Sequence, residues 1–309
     1  MRTRILGTAP YLISLLVLLV ACTESASAPP PHQRDAIRVA AFGFTESEIL
    51  AELYTQALSE KGYPTDPVLN AGPRELVQPA LAEGLIDVVP EYAGSALAFL
   101  TLGALEGTAS VGETHDALTR VVTPSGVIAL APAPAQDANE IVVTQATADR
   151  FGLRDISDLA SVDSRLVFGG PPECAQRRLC LIGLGDVYGL GFREFIPLDT
   201  GGPLTLQALR SGGIDVALLF TTDPAIVSEG LVVLTDDRRL QPSENITPLL
   251  RREVMSAHGE GVIQTLDAVS ALLTTSDLRA MIGRVVEGST ARGVAASWLQ
   301  EHRSALEGS

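Results

Sequence analysis

The sequence predicts an α/β chain of two similar lobes, and three observations carry that reading. A strand, a sharp turn and a helix open the folded part, one supersecondary unit occurs twice, and 309 residues with 46% hydrophobic content suffice for two medium cores. The charge excludes one class of function. A net charge of −15 and a pI near 4.7 leave no cluster of Lys and Arg to meet nucleic acid. The basic pairs Arg177-Arg178 and Arg251-Arg252 read as one ion-paired and one solvated face.

The chain opens with Arg2 and Arg4, then an apolar run over residues 11–20 broken only by Ser14. The run is too short for a membrane span and reads as a signal peptide over residues 1–21. It ends in Leu19-Val20-Ala21-Cys22, which resembles the lipobox of bacterial lipoproteins and implies acylation of Cys22. Residues 22–36 are rich in Ser, Ala and Pro, with Pro29-Pro30-Pro31, and form no packed element; they are expected to act as a lipid-anchored tether.

Residues 37–41 are β-branched enough for a strand. Thr45 with Glu48 then reads as a capping box, so a helix is expected over residues 46–61, with Ile49, Leu50, Leu53, Ala57 and Leu58 on its buried face and Gly62 at its end. The most informative feature follows. Ala-Leu, Gly, Ile-Asp-Val and an aromatic residue recur in register, from 80 to 92 and again from 208 to 220, an offset of 128. Each copy turns from a helix end through Gly into a strand. In parallel sheets ligands bind beyond the carboxyl ends of strands, where Tyr92 and Phe220 fall, so each lobe presents one ring to a shared cleft. The small polar Gly94-Ser95 and Thr221-Thr222-Asp223 that follow suit binding loops.

Besides the expected lipidation site Cys22, the chain has Cys174 and Cys180, and in an exported chain these two read as a disulfide closing a short loop. A metal site is the sharper alternative, but no His or second Cys pair lies nearby. His32, His115, His258 and His302 show no ligand spacing, and there is no nucleophile elbow, phosphate loop or dinucleotide fingerprint. No cofactor, no metal and no enzymatic activity are expected. Residues 262–299 read as amphipathic helices with Trp298 on an apolar face.

From about residue 37 to 250 the chain resembles the substrate-binding proteins of osmoprotectant ABC importers, those for glycine betaine, choline and proline betaine. The likeness is carried by Phe44-Thr45-Glu46 with Ile49-Leu-Ala-Glu-Leu-Tyr54, Ile86-Asp-Val-Val-Pro-Glu-Tyr92-Ala-Gly, Leu198-Asp-Thr-Gly-Gly-Pro203, Asp215-Val, Thr222-Asp223 and Leu234-Thr-Asp-Asp237. It implies a two-lobed, hinged periplasmic-binding-protein (Venus-flytrap, type II) fold. The chain would cross between lobes near residues 133–139 and again near 237–247, with lobe I formed by 37–137 plus 244–309 and lobe II by 138–243.

The resemblance also implies a site. Such proteins hold a quaternary ammonium in a box of aromatic rings. Here Tyr92 is kept and Phe220 replaces a Tyr, while Asn139 and Glu244 stand where the family has Tyr. Phe42 takes the place of a Lys, and Ser95 and Arg177 match the other carboxylate partners. Tyr92, Phe220 and Phe42 are expected to form a three-faced pocket, with Glu244 meeting the cation directly; Asp137 and Thr222 complete the expected ligand set. The implied function is an extracytoplasmic solute-binding lipoprotein that captures an osmoprotectant such as glycine betaine or choline, as a monomer, for ABC permease and ATPase subunits, anchored to the membrane through lipid. Two alternatives stay open: a non-ammonium ligand (polyol, sugar or aromatic compound), and a sensor lipoprotein without transport.

Overall fold

The computed structural model describes residues 36–307. The expected leader, the lipidated Cys22 and the tether up to residue 35 lie outside the described residues. Ten strands appear among them: β1 (Ile37–Ala40), β2 (Thr65–Val68), β3 (Val88–Tyr92), β4 (Val127–Ala129), β5 (Asn139–Val143), β6 (Val167–Gly170), β7 (Glu194–Pro197), β8 (Val216–Phe220), β9 (Val232–Val233) and β10 (Ile246–Arg251). They form two five-stranded sheets, ordered β2-β1-β3-β10-β4 and β7-β6-β8-β5-β9. Within each sheet the first three strands are parallel, and the fourth, β10 or β5, runs antiparallel to both its neighbours. The architecture is therefore α/β and two-lobed, one sheet to a lobe.

The repeated Ile-Asp-Val segment explains why the lobes match. β3 and β8 are its two copies, and Gly84 and Gly212 end the preceding helices at φ +71° and +73°, a conformation that costs glycine little. Asp87 accepts a hydrogen bond from the Arg38 N–H at 2.9 Å, and Asp215 accepts one from the Val167 N–H at the same distance. The repeated aspartate thus ties down the neighbouring parallel strand in both lobes. In lobe I it also pairs with the Arg38 side chain, which is buried within β1.

The first helix, α1, spans Thr45–Glu60, one residue earlier at each end than expected, and the capping box does not form. Phe44 is the N-cap, in extended conformation and without a side-chain hydrogen bond; the Ser47 hydroxyl instead accepts from the Phe42 N–H at 2.8 Å. Ser47 sits in the first turn, so this bond folds the strand end back over the helix start and leaves Thr45 inside the helix. Ile49, Leu50, Leu53 and Leu58 are fully buried. Helices Gly261–Leu272, Thr275–Val286 and Ala291–Glu301 pack over α1, with Trp298 buried and the Tyr54 hydroxyl 2.9 Å from the Ser270 hydroxyl. The core of lobe II gathers around Phe168, whose ring lies 4.9 Å from that of Phe192.

The chain crosses between sheets twice, over residues 130–138 and 234–245. The crossings run side by side: Gln136 and Asn245 form an antiparallel bridge, and the Asp137 N–H donates to the Glu244 carbonyl at 3.0 Å. A paired ribbon of this kind can bend without breaking either sheet, which is what a hinge requires.

Candidate ligand-binding cleft

Between the lobes lies a cavity of about 830 Å³, lined from both sides. Lobe I contributes three elements. The turn after β1 presents Phe42 and Phe44. Helix α2 (Arg74–Ala82) begins at the rim with Arg74. The end of β3 and the start of helix α3 (Ala93–Leu100) supply Tyr92 and Ser95. Two glycines shape these turns: Gly72 lies at φ +97°, and a Cβ on Gly43 would stand 3.0 Å from Asn70 Oδ1.

The rings form one series across both lobes. Phe42 and Phe44 have centroids 6.0 Å apart and planes within 3°, Phe44 and Phe220 lie at 6.2 Å and 9°, and Tyr92 stands 6.0 Å from Phe44 and 6.4 Å from Phe42. Four rings, not three, therefore make up this series, with Phe99 elsewhere on the cavity wall, and Phe44 links the lobes. Its place beside a capping pattern hid it in the sequence. The guanidinium of Arg74 lies 5.2 Å from the Phe42 ring centre.

Of the residues expected to bind ligand, Phe42, Tyr92, Ser95, Asp137, Asn139, Arg177 and Phe220 line the cavity; Thr222 and Glu244 do not. Glu244 is buried behind the wall, where both its oxygens accept from Ser95, from the N–H at 3.0 Å and the hydroxyl at 2.7 Å. The direct meeting of Glu244 with a cation is thus replaced by a bond to Ser95. Asn139 is occupied too, its amide donating to the Leu179 carbonyl and to Gln241. Thr222 donates to Asp137 at 2.9 Å from its hydroxyl, and Thr221 adds another bond.

The disulfide between Cys174 and Cys180 closes a loop that carries Arg177 and Arg178 across to lobe I. Arg177 pairs with Glu75 at 2.8 Å and stacks 5.1 Å over Phe99, while Arg178 pairs with Glu106. The tandem arginines are ion-paired, as the sequence suggested; the bonds to Glu75 and Glu106 run between lobes, and Arg178 also pairs with Asp186 at 3.2 Å within lobe II.

Beneath the rings lies a buried acidic network. The Tyr92 hydroxyl donates to Glu46 at 2.8 Å, and the other Glu46 oxygen has no hydrogen-bond partner among the described residues. Glu46 faces Asp137, and burial followed by the Asp137 charge pushes its carboxyl well above the ordinary range. Burial also pushes Asp137 up to about 7, against the Thr221 and Thr222 donors, and Glu244 to about 7 against Ser95 and Arg74. Two facing buried carboxyls do not both ionise at low cost, and a cation placed beside them would lower that cost.

Residues 35–301 match the family of the substrate binding domain of ABC-type glycine betaine transport systems. The chain belongs to that family. This family member is 28% identical to the glycine-betaine-binding protein of Pseudomonas aeruginosa, over 87% of this chain and 89% of that one. Its identity to the glycine betaine-binding protein YehZ of Escherichia coli is 26%, over 93% and 95%. Among solved structures, a glycine betaine/carnitine/choline ABC transporter protein superposes with a TM-score of 0.68 at 22% identity, over 87% and 99% of the two chains. Lactococcal OpuAC, closed around glycine betaine, superposes at 0.65 and 15%, over 88% and 98%. The fold is the type II periplasmic-binding-protein fold, and the chain is the substrate-binding protein of an ABC importer.

Proposed function

We propose that the cleft captures a small quaternary ammonium osmoprotectant, such as glycine betaine or choline, and hands it to ABC permease and ATPase subunits without chemical change. The single observation that carries this reading is the series Phe42, Phe44, Tyr92 and Phe220, drawn from both lobes onto one cavity wall. Ring faces attract a cation that has no hydrogen-bond donor, and such a contact is worth about 2 kcal/mol when water is excluded. A ligand touching both lobes favours the closed form by its differential affinity for it, and the closed shape is what a permease can select. Relatives named for glycine betaine and for carnitine support the ligand class. The expected leader and Cys22 support an extracytoplasmic, lipid-anchored protein.

A thermal-shift and calorimetric screen of the purified protein against choline, glycine betaine, proline betaine, carnitine, neutral polyols and aromatic compounds tests the reading. Saturable stabilisation by one or more of the ammonium compounds is the expected result. Stabilisation confined to an uncharged compound would mean that the fold was kept and the ligand exchanged.

A further inference from the structure

The lobes carry equivalent helices at the cleft, and their starts are finished differently. In lobe II the helix Pro203–Ser211 begins under the chain's own carboxylate: Asp199 accepts from the Leu204 N–H and the Thr205 N–H, each at 2.9 Å. This neutralises the positive end of the helix. In lobe I the matching helix α2 starts after Pro73, with no side-chain cap, and Gly72, Pro73, Arg74 and Glu75 all lie on the cavity wall. The chain supplies a carboxylate at one helix start and leaves the other open to the cleft.

Arg74 stands at that open start. Its fork is fixed from behind, Nε and Nη2 donating to Glu91, which is fully buried and also accepts from Gln78 and from the Tyr92 N–H. Among the described residues, the side-chain hydrogen bonds of Arg74 run from Nε and Nη2. Arg177 reaches the same cavity from lobe II, and its buried Nε has no hydrogen-bond partner among the described residues. Burial, and then the Arg74 charge, hold the Arg177 guanidinium below its ordinary value, so the two cations feel one another across the wall.

We infer that Arg74 is the specificity residue for the anionic end of the ligand, gripping a carboxylate together with Arg177 so that the cavity selects zwitterionic betaines over choline. This rests on the ammonium reading of the rings and adds an orientation to it. The carboxylate lies at the Arg74 and Phe42 end, and the ammonium lies toward Tyr92, Phe44 and Phe220, beside the Asp137 carboxyl. Rigid, pre-bonded guanidinium groups suit this task because little side-chain freedom is lost on binding.

Glycine betaine and choline share the trimethylammonium group and differ in the carboxylate, so calorimetry with both isolates the effect. Because Glu91 would be left buried and unpaired by simple truncation, the variants are Arg74→Lys and the double variant Arg74→Gln with Glu91→Gln. The expected result is a glycine betaine affinity reduced about 10-fold or more in both, with choline changed less than about 3-fold. Equal losses for the two ligands, or an unchanged glycine betaine affinity, would overturn the assignment. Acetate is titrated by thermal shift as the carboxylate alone. Protection of the parent protein that is lost in the variants supports the assignment even where no ammonium compound binds, a combination that sinks only the reading of the rings. Equal acetate protection in all three proteins overturns Arg74.

Discussion

Lobes I and II are two editions of one unit, and they differ most where they meet the cleft. Both end a central parallel strand in an aromatic residue, Tyr92 or Phe220, at the same register of the same sheet order. Lobe I then surrounds its ring with two more rings, an arginine and a buried acidic network, whereas lobe II adds a disulfide-closed loop that reaches across to lobe I. The duplicated frame fixes where a ligand can sit, and the residues outside the repeated segment decide what is bound. On the proposed reading, lobe I carries most of the groups that select the ligand, and lobe II clasps it.

The largest expected effect breaks the symmetry of the repeated aspartate. Asp87→Ala strands Arg38 inside β1, at a cost of roughly 3 to 5 kcal/mol for a broken buried pair. Asp215→Ala removes one bond to a backbone N–H, a loss of about 1 kcal/mol. Urea unfolding measures both, and equal costs would mean that the buried pair contributes nothing beyond the shared bond. Next in size is the ring from each lobe. Phe220→Ala should weaken glycine betaine by roughly 1 to 3 kcal/mol while leaving the unliganded Tm nearly unchanged. Tyr92→Ala should weaken it as much and also lower the Tm, because Tyr92 is buried and bonded to Glu46. If neither affinity moves, the ligand binds elsewhere.

The repeat made much of this legible in advance. The match at a constant offset located β3 and β8, and strand-end logic placed Tyr92 and Phe220 on the cleft. What escaped was set by contacts between segments far apart in the chain. Ser95 and Glu244 satisfy one another across 149 positions, a bond within the protein that withdraws Glu244 from the cavity wall while Ser95 stays on it. Glu46 belonged to a motif recognised only as a whole, and its partnership with Asp137 depends on the hinge bringing the two carboxyls together. Arg74 carries no signal in the sequence, because nothing in its neighbours shows Glu91 folding back to fix it.

The acidic network gives a pH signature that separates the lobe I site from simple ring stacking. A raised carboxyl keeps its proton in the folded protein after the unfolded chain has lost its own. Stability of the unliganded protein should therefore fall as pH rises from about 4 through about 7. Choline reverses the sign. It favours ionised Asp137, so its affinity should climb roughly 10-fold between pH 6 and pH 8, for a group titrating at about 7 in the free protein. Asp137→Asn should flatten that dependence, and a flat profile in the parent protein would remove the network from the site.

The smallest expected effect tests the contrast between the helix starts. Asp199→Asn keeps one acceptor oxygen but loses the charge that faces the helix start, and Asp199→Ala loses both. Stability should fall by a few tenths of a kcal/mol in the first and about 1 kcal/mol in the second, read from urea midpoints at constant slope. Glycine betaine affinity should stay within about 2-fold in Asp199→Asn, because this carboxylate serves its own helix and the ligand's carboxylate serves the other. The turn between them touches the ring of Phe220, since a Cβ on Gly201 would stand 2.9 Å from it, so the alanine variant can shift that ring where the asparagine variant should not. A large affinity loss in Asp199→Asn would show that both helix starts address the ligand, and the division of labour between the lobes would fail.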